Sequence, residues 1–276
     1  MVTQADKGAA FQALHARRGT FVIPNPWDVG SARILAHAGF EALATTSAGF
    51  AFSRGRTDHG VSREVMLAHC AELAAATDLP TSGDLENGFG EAPEVAAETI
   101  RLAGGAGLVG GSIEDGSGDA SRPLYEIARA ADRVRAAAEA AHALPCPFVL
   151  TARAENFLVG RADLRDVMAR LQAYQEAGAD VLYAPGLVRA EDIASVVRAV
   201  DRPINVLMGL PGCDLDVAAL AAIGVRRISV GSGLARAAFG ALLRAIDEIQ
   251  TRGSFTFGES AATSRDLSSR LSRRAT

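Results

Sequence analysis

The sequence predicts a single (β/α)8 barrel. Three features carry that expectation: short apolar, β-branched runs alternate with longer segments of helical period, eight such pairs can be counted, and several helical segments close on a glycine just before the next strand. Successive parallel strands need a crossover helix between them, and eight strand–helix repeats can close on themselves. The chain has 276 residues, enough for one barrel of roughly 250 residues and a short tail.

In chain order, a strand at 21–24 (FVIP) precedes a helix at 30–38, and a strand at 41–46 (EALATT) precedes a helix at 63–77. The third and fourth pairs are 80–86 (PTSGDLE) with 93–104, and 108–114 (LVGGSIE) with 124–142. The fifth and sixth are 147–153 (PFVLTAR) with 163–177, and 180–184 (DVLYA) with 190–199. The last two are 202–207 (RPINVL) with 214–222, and 225–231 (VRRISVG) with 235–250. Glycines in HAGF (37–40), EAGAD (176–180) and AAIGV (221–225) can take the left-handed cap conformation, which marks the bottom loops. A doubly wound open sheet is disfavoured because NPWDVGSAR, not GxGxxG, follows the first strand. The barrel is expected over residues 1–253, with 254–276 a polar tail that holds a short helix near 264–273 and is either disordered or docked on a neighbouring subunit.

Composition removes several function classes. Hydrophobic residues make up 49%, charged residues 22% and the net charge is −4, as in an ordinary globular protein. The basic residues are scattered, which argues against nucleic acid as a partner. No run approaches the roughly 18 apolar residues of a spanning helix, and no apolar stretch follows the N-terminal MVTQADKG, so neither membrane insertion nor secretion is expected. Cys70, Cys146 and Cys213 are odd in number and never form CxxC, so a disulfide framework or zinc site is disfavoured and a reducing cytoplasm expected. Lys7 is the single lysine and precedes the first strand, which argues against a Schiff-base or pyridoxal-phosphate mechanism in the barrel.

In a barrel, the βα loops at the C-terminal ends of the strands build the active face. Asp84 and Glu86 close the third strand, where a period of two would turn both inward, and Glu114 closes the fourth while Asp115 must point the other way or sit in the loop. Three inward carboxylates repel one another without a cation. Mg²⁺ answers this best, with Mn²⁺ possible in its place; a static network with Arg153, at the end of the fifth strand, is the structural alternative. Thr45, Thr46 and Ser47 close the second strand and could hold a carboxylate or phosphonate, and Arg153 offers the planar fork that binds carboxylate. Asp58 and His59 lie in SRGRTDHG, a loop of active-site type that is also common on any surface, whereas His15, His37, His69 and His142 fall on helical segments and read as packing or surface residues. ISVGSGLAR at 228–236 either cradles a phosphate or simply packs helix on strand through glycine.

Taken together, NPWDVGSAR, ATTSAGFAFSRGRTDHG, GDLENGFG, SIEDG and TARAENF resemble, in order and over about residues 10–250, the phosphoenolpyruvate mutase/isocitrate lyase superfamily. The resemblance implies a Mg²⁺-dependent barrel that stabilises an enolate of an α-oxo or α-hydroxy carboxylate while a C–C or P–C bond is broken or rearranged. It implies Asp84, Glu86 and Glu114 as metal residues, Asp58 and Arg153 as catalytic, and Thr45, Thr46, Ser47 and Arg153 as substrate-binding. It also implies a homotetramer with exchanged C-terminal helices. The chain departs from the isocitrate lyases in the loop after the fourth strand, where DGSGDASRPLYE lacks the cysteine of their Lys-(Lys/Arg)-Cys-Gly-His segment. The mutase's loop asparagine and its histidine after the sixth strand also lack counterparts near LYAPGL. The expectation is therefore a Mg²⁺-dependent C–C lyase, with a phosphonopyruvate-type mutase or hydrolase as the rival; a barrel that only binds, or a sugar-phosphate enzyme resting on VGSG, stands further off.

Overall fold

The computed structural model describes residues 2–272 and contains the eight-stranded parallel barrel. Strands β1 (Phe21–Ile23), β2 (Leu43–Ala44), β3 (Thr81–Asp84), β4 (Gly110–Glu114), β5 (Val149–Arg153), β6 (Val181–Tyr183), β7 (Ile204–Leu207) and β8 (Arg227–Ser229) each lie inside an expected run. They pair in sequence from β2 to β8, and β8 pairs back to β1 with Phe21 opposite Arg227. Between β1 and β2 the junction is made by the Ala44 N–H donating to the Pro24 carbonyl at 3.1 Å.

The crossover helices are α2 (Val29–His37), α4 (Arg63–Ala76), α5 (Pro93–Gly105), α6 (Ile127–His142), α7 (Leu164–Glu176), α8 (Ala190–Ala199), α9 (Val217–Ala222) and α10 (Gly233–Arg252). Gly39, Gly178 and Gly224 all have φ near +90° just before a strand, as the apolar–Gly pairs require. The main core lies between helices and sheet, around Ile100, Leu108, Ile113, Leu150, Leu171 and Val196.

Two helices were not expected. Helix α1 (Gln4–Ala16) starts with a Thr3–Asp6 capping box and inserts Phe11 into an apolar plug with Phe21, Ile23, Val109, Val149 and Val181. Gly110 makes room for it, since a Cβ there would stand 2.6 Å from the Phe11 ring. Lys7 rides on α1, with its ammonium donating to the Ala74 and Thr77 carbonyls at 2.8 and 2.6 Å, so the lone lysine ties α1 to the end of α4. Helix α3 (Ser47–Ser53) leaves β2 directly, with Thr46 as its N-cap. In the tail, α11 (Ser264–Leu271) lies against α2 of its own chain; the expected helix near 264–273 runs partly outside the described residues. No described helix is long and apolar enough to cross a membrane.

Two buried histidines set an acid limit on stability. His69 stacks on Phe50 with centroids 3.7 Å apart, its Nε2 has no partner, and burial holds its pKa down at about 4; burial and Arg227 hold His15 at about 3. Their unfolded forms take a proton near pH 6.5, so the unfolded state binds more protons below that pH and stability falls as pH drops toward 4. His69→Phe is expected to keep the stack and flatten that fall. Urea denaturation at pH 7 and pH 5 tests it, and an equal pH dependence in both proteins contradicts it.

Candidate active site

Every rim carboxylate singled out in the sequence lies at the C-terminal mouth, but they fall into two groups. In the first, Arg153 at the end of β5 is surrounded by acids: its Nη1 lies 2.8 Å from Asp84 Oδ1, and its Nη2 lies 3.2 Å from Glu114 Oε2 and 2.9 Å from Glu155 Oε1. Parallel register explains this, because Glu114 sits opposite Arg153 between β4 and β5, and Asp84 opposite Ser112 between β3 and β4. Burial alone would lower Arg153, but Glu155, Glu114 and Asp84 more than offset it and the guanidinium stays charged. Burial likewise pushes Glu114 and Glu155 above the usual carboxylate range, against the pull of Arg153.

The second group is Asp58, His59 and Glu86, whose donor atoms lie within 4.8 Å of one another. His59 Nδ1 is 3.2 Å from Glu86 Oε2, and that contact, with Glu114, Asp58 and the Glu86 charge, raises the imidazole to about 9 against burial. His59 and Glu86 have φ of +58° and +50°, and with Phe89 they are the described non-glycine residues in the left-handed region. The expectation that β3 alternation carries Glu86 inward is corrected here: β3 ends at Asp84, Leu85 is buried in the outer core, and the left-handed turn at Glu86 brings its carboxylate back to the mouth. Arg133 holds the following loop by donating to the carbonyls of Asn87, Gly90 and Glu91.

Ser47 joins the groups. Its N–H and its hydroxyl each donate to Asp84 Oδ2 at 2.9 Å, and the hydroxyl lies 3.3 Å from Asp58 Oδ1. The neighbouring hydroxyls are engaged elsewhere: Thr45 Oγ1 accepts from the Asp84 N–H at 2.8 Å, and Thr46 Oγ1 from the Gly49 N–H at 3.2 Å. Both threonines still line the inner cavity. Asp115 points outward, as expected, where it accepts from the Glu155 N–H, Arg170 and Tyr174 and so fixes the start of the β5 loop. Glu155, which the sequence places after the fifth strand in TARAENF without a role, is set against Arg153 by the fold. The glycine-rich turn after β8 packs rather than binds phosphate through those amides, since the Val230 and Gly231 N–H groups both donate to Asn25 Oδ1 at 2.9 Å.

Above these residues opens a cleft of about 1000 Å³, lined by Ser47, Asp58, His59, Glu86, Glu114 and Arg153 among others. The donor set suits a hard cation. Glu86 is 6% exposed and its Oε1 is buried with no partner, the kind of orphaned carboxylate oxygen that a divalent ion satisfies.

Fold and site together define a (β/α)8 barrel with its candidate active site at the C-terminal mouth. The chain matches the phosphoenolpyruvate phosphomutase family over residues 11–250 and belongs to the phosphoenolpyruvate mutase/isocitrate lyase superfamily. A crystal structure from Burkholderia cenocepacia J2315, of a protein provisionally called a lyase/mutase, is 58% identical with a TM-score of 0.96 and 98% of each chain covered. An uncharacterized protein of Mycobacterium tuberculosis is 34% identical over 81% of this chain and 82% of its own length. The 2-methylisocitrate lyase of Escherichia coli K12 is 29% identical over 71% and 68%. In fold alone, a phosphonopyruvate hydrolase solved with oxalate and Mg²⁺ aligns with a TM-score of 0.84 at 21% identity over 96% and 94% of the two chains.

Proposed function

We propose that this protein is a Mg²⁺-dependent lyase that breaks a C–C bond in a small α-oxo or α-hydroxy carboxylic acid by way of an enolate. The observation that carries it is the imbalance at the mouth, where Arg153 meets three carboxylates while Asp58 and Glu86 stand beside them with an unpartnered buried oxygen. These five acids outnumber Arg153 and the protonated His59 beside them, and the excess negative charge calls for a divalent ion. Asp84, Glu86 and Glu114 would hold Mg²⁺, or Mn²⁺ in its place, with Asp58 beside them. When bound, the ion supplies Lewis-acid stabilisation of the negative charge that develops on the α-oxygen.

The chain's own residues do the rest. Arg153 takes the substrate carboxylate with its planar fork, and its acidic neighbours fix the plane of that fork. Ser47, held against Asp84 and Asp58, lines the wall of the carboxylate pocket, with Thr45 and Thr46 behind it. Asp58 is the group we assign to proton handling or gating, because its loop overhangs the cleft. The exposed Leu242, Leu243, Ile246 and Ile249 on α10 support assembly with further copies of the chain, and three free cysteines suit the cytoplasm. A coupled assay for pyruvate or glyoxylate release, run with Mg²⁺ over oxaloacetate, phosphonopyruvate and 2-hydroxy acids, tests the reading. Phosphate release from phosphonopyruvate alone would assign P–C chemistry instead, and no turnover of any member would leave a barrel that only binds.

Isocitrate and 2-methylisocitrate are expected to be poor substrates. Cys70 is fully buried with its thiol pushed to about 12, Cys146 precedes β5 at the barrel bottom, and Cys213 Sγ packs 3.6 Å from Met208 Sδ. No described cysteine lines the cleft. A missing positioned acid or base forfeits about 10²- to 10⁴-fold in rate. Isocitrate turnover above about 1 s⁻¹, an ordinary enzyme rate, contradicts this.

A further inference from the structure

Arg227 stands at the floor of the barrel's inner cavity with no acid in ion-pair reach among the described residues. It faces inward from β8, is 5% exposed, and donates from Nε to Asn205 Oδ1 and from Nη2 to Thr151 Oγ1, both at 2.9 Å. Its Nη1 lies 3.3 Å from His15 Nε2, whose ring turns Nδ1 to the Phe11 carbonyl at 2.8 Å and is neutral at physiological pH. All three partners are uncharged, and Arg227 forms no ion pair among the described residues. Burial lowers it only to about 10, so it remains a cation. A buried charge without a counter-ion is costly, and folds keep one where something else neutralises it. Arg153 nearby has three carboxylates, so the two arginines share one barrel interior but not one role.

The space beside Arg227 is a cavity of about 160 Å³, walled by Asn205, Ser229 and Tyr183 and reaching Ser47, Asp58 and the Asp84–Arg153 pair at its upper end. Beneath it, the edge-on stack of Phe11, His15 and Phe21 closes the bottom. Thr151 and Arg153 face inward two residues apart on β5, and Arg227 reaches the Thr151 hydroxyl, so its guanidinium sits one layer, about 6.6 Å, deeper than the Arg153 position. That depth suits a short chain with an acid group at each end.

We propose that this cavity is an anion subsite that takes the second carboxylate of the substrate, which makes the preferred substrate a small 2-oxo or 2-hydroxy diacid held between Arg153 and Arg227. The proposal rests on the reading of the mouth as the α-oxo acid site. Arg227 is then the specificity-determining residue: a monoacid leaves its charge unneutralised, whereas a diacid places a carboxylate against the two guanidinium N–H bonds that the protein partners do not use.

Calorimetry of the Mg²⁺-loaded protein with L-malate and L-lactate, which differ by the second carboxylate, tests this. Malate is expected to bind at least tenfold tighter in the wild type, with the preference falling to near unity in Arg227→Met and recovering in part in Arg227→Lys. A preference that is absent from the wild type, or unchanged in folded Arg227→Met, overturns the proposal. If the methionine variant does not fold, wild-type crystals soaked in bromide decide: an anomalous peak in contact with the Arg227 guanidinium is expected, and its absence overturns the subsite. Bromide there with equal malate and lactate affinities would mean that a free inorganic anion occupies it, which overturns the substrate assignment. Failure of both acids to show Mg²⁺-dependent binding would instead sink the proposed function at the mouth.

Discussion

Arg153→Met is expected to abolish turnover and to weaken oxalate binding by about 2–5 kcal/mol, the range for removing one partner of a buried, hydrogen-bonded charge pair. Two effects combine. The substrate carboxylate loses its fork, and Asp84, Glu114 and Glu155 lose the guanidinium that faces all three. Removing one member of a buried ion cluster costs about 3–5 kcal/mol of stability in its own right. The pH dependence separates this from a simple packing defect. Burial already raises Glu114 and Glu155 above their unfolded values, and without Arg153 both rise further. The folded state then binds more protons than the unfolded one above about pH 4.5, so stability falls as pH increases, more steeply than in the wild type. Urea denaturation from pH 5 to 8 in metal-free buffer, with calorimetric oxalate titration in Mg²⁺, checks both parts; unchanged oxalate affinity would make Arg153 purely structural.

Asp84→Asn is expected to lower Mg²⁺ affinity at least 100-fold, above the roughly 10- to 100-fold typical of residues that only orient a ligand, and to remove activity with it. Asparagine keeps the shape of the side chain but removes the charge that Ser47 and Arg153 are arranged around. Calorimetric Mg²⁺ titration in the presence of oxalate reads the result. Full Mg²⁺ affinity in the variant would move the ion to Asp58, His59 and Glu86, the donors that the fold brings closest together.

How much of this was legible beforehand differs by residue. Strands such as β5 (VLTAR) and β7 (INVL) could be read because parallel strands covered on both faces are largely apolar, β3 (TSGD) and β4 (GGSIE) only from their place in the strand–helix alternation, and the bottom turns because glycine supplies the positive φ. Helix α1 could not, because the side it buries includes Lys7, Gly8 and His15 alongside Phe11 and Leu14, which leaves no apolar stripe to detect. Helix α3 is only seven residues long and begins where β2 ends, so its apolar residues extend the strand pattern.

At the site, Asp84, Glu114 and Arg153 were legible as polar residues closing strands, a position that in a barrel has one address. Glu86 was named for the wrong reason: alternation predicted its direction, but a left-handed turn beyond the strand supplies it. Arg226 and Arg227 look alike in VRRISV, yet Arg226 binds the Arg17 and Gly19 carbonyls at the surface while Arg227 is sealed inside. By itself the sequence determined the fold class, the rim on which the chemistry stands and the residue types available there, because local periodicity and strand ends encode them. Only the tertiary structure decided which carboxylates share Arg153, which stand with His59, and that Arg227 has none. Charge pairing depends on strand register and loop return across residues 69 apart, as between Arg153 and Asp84, and no local pattern carries that distance.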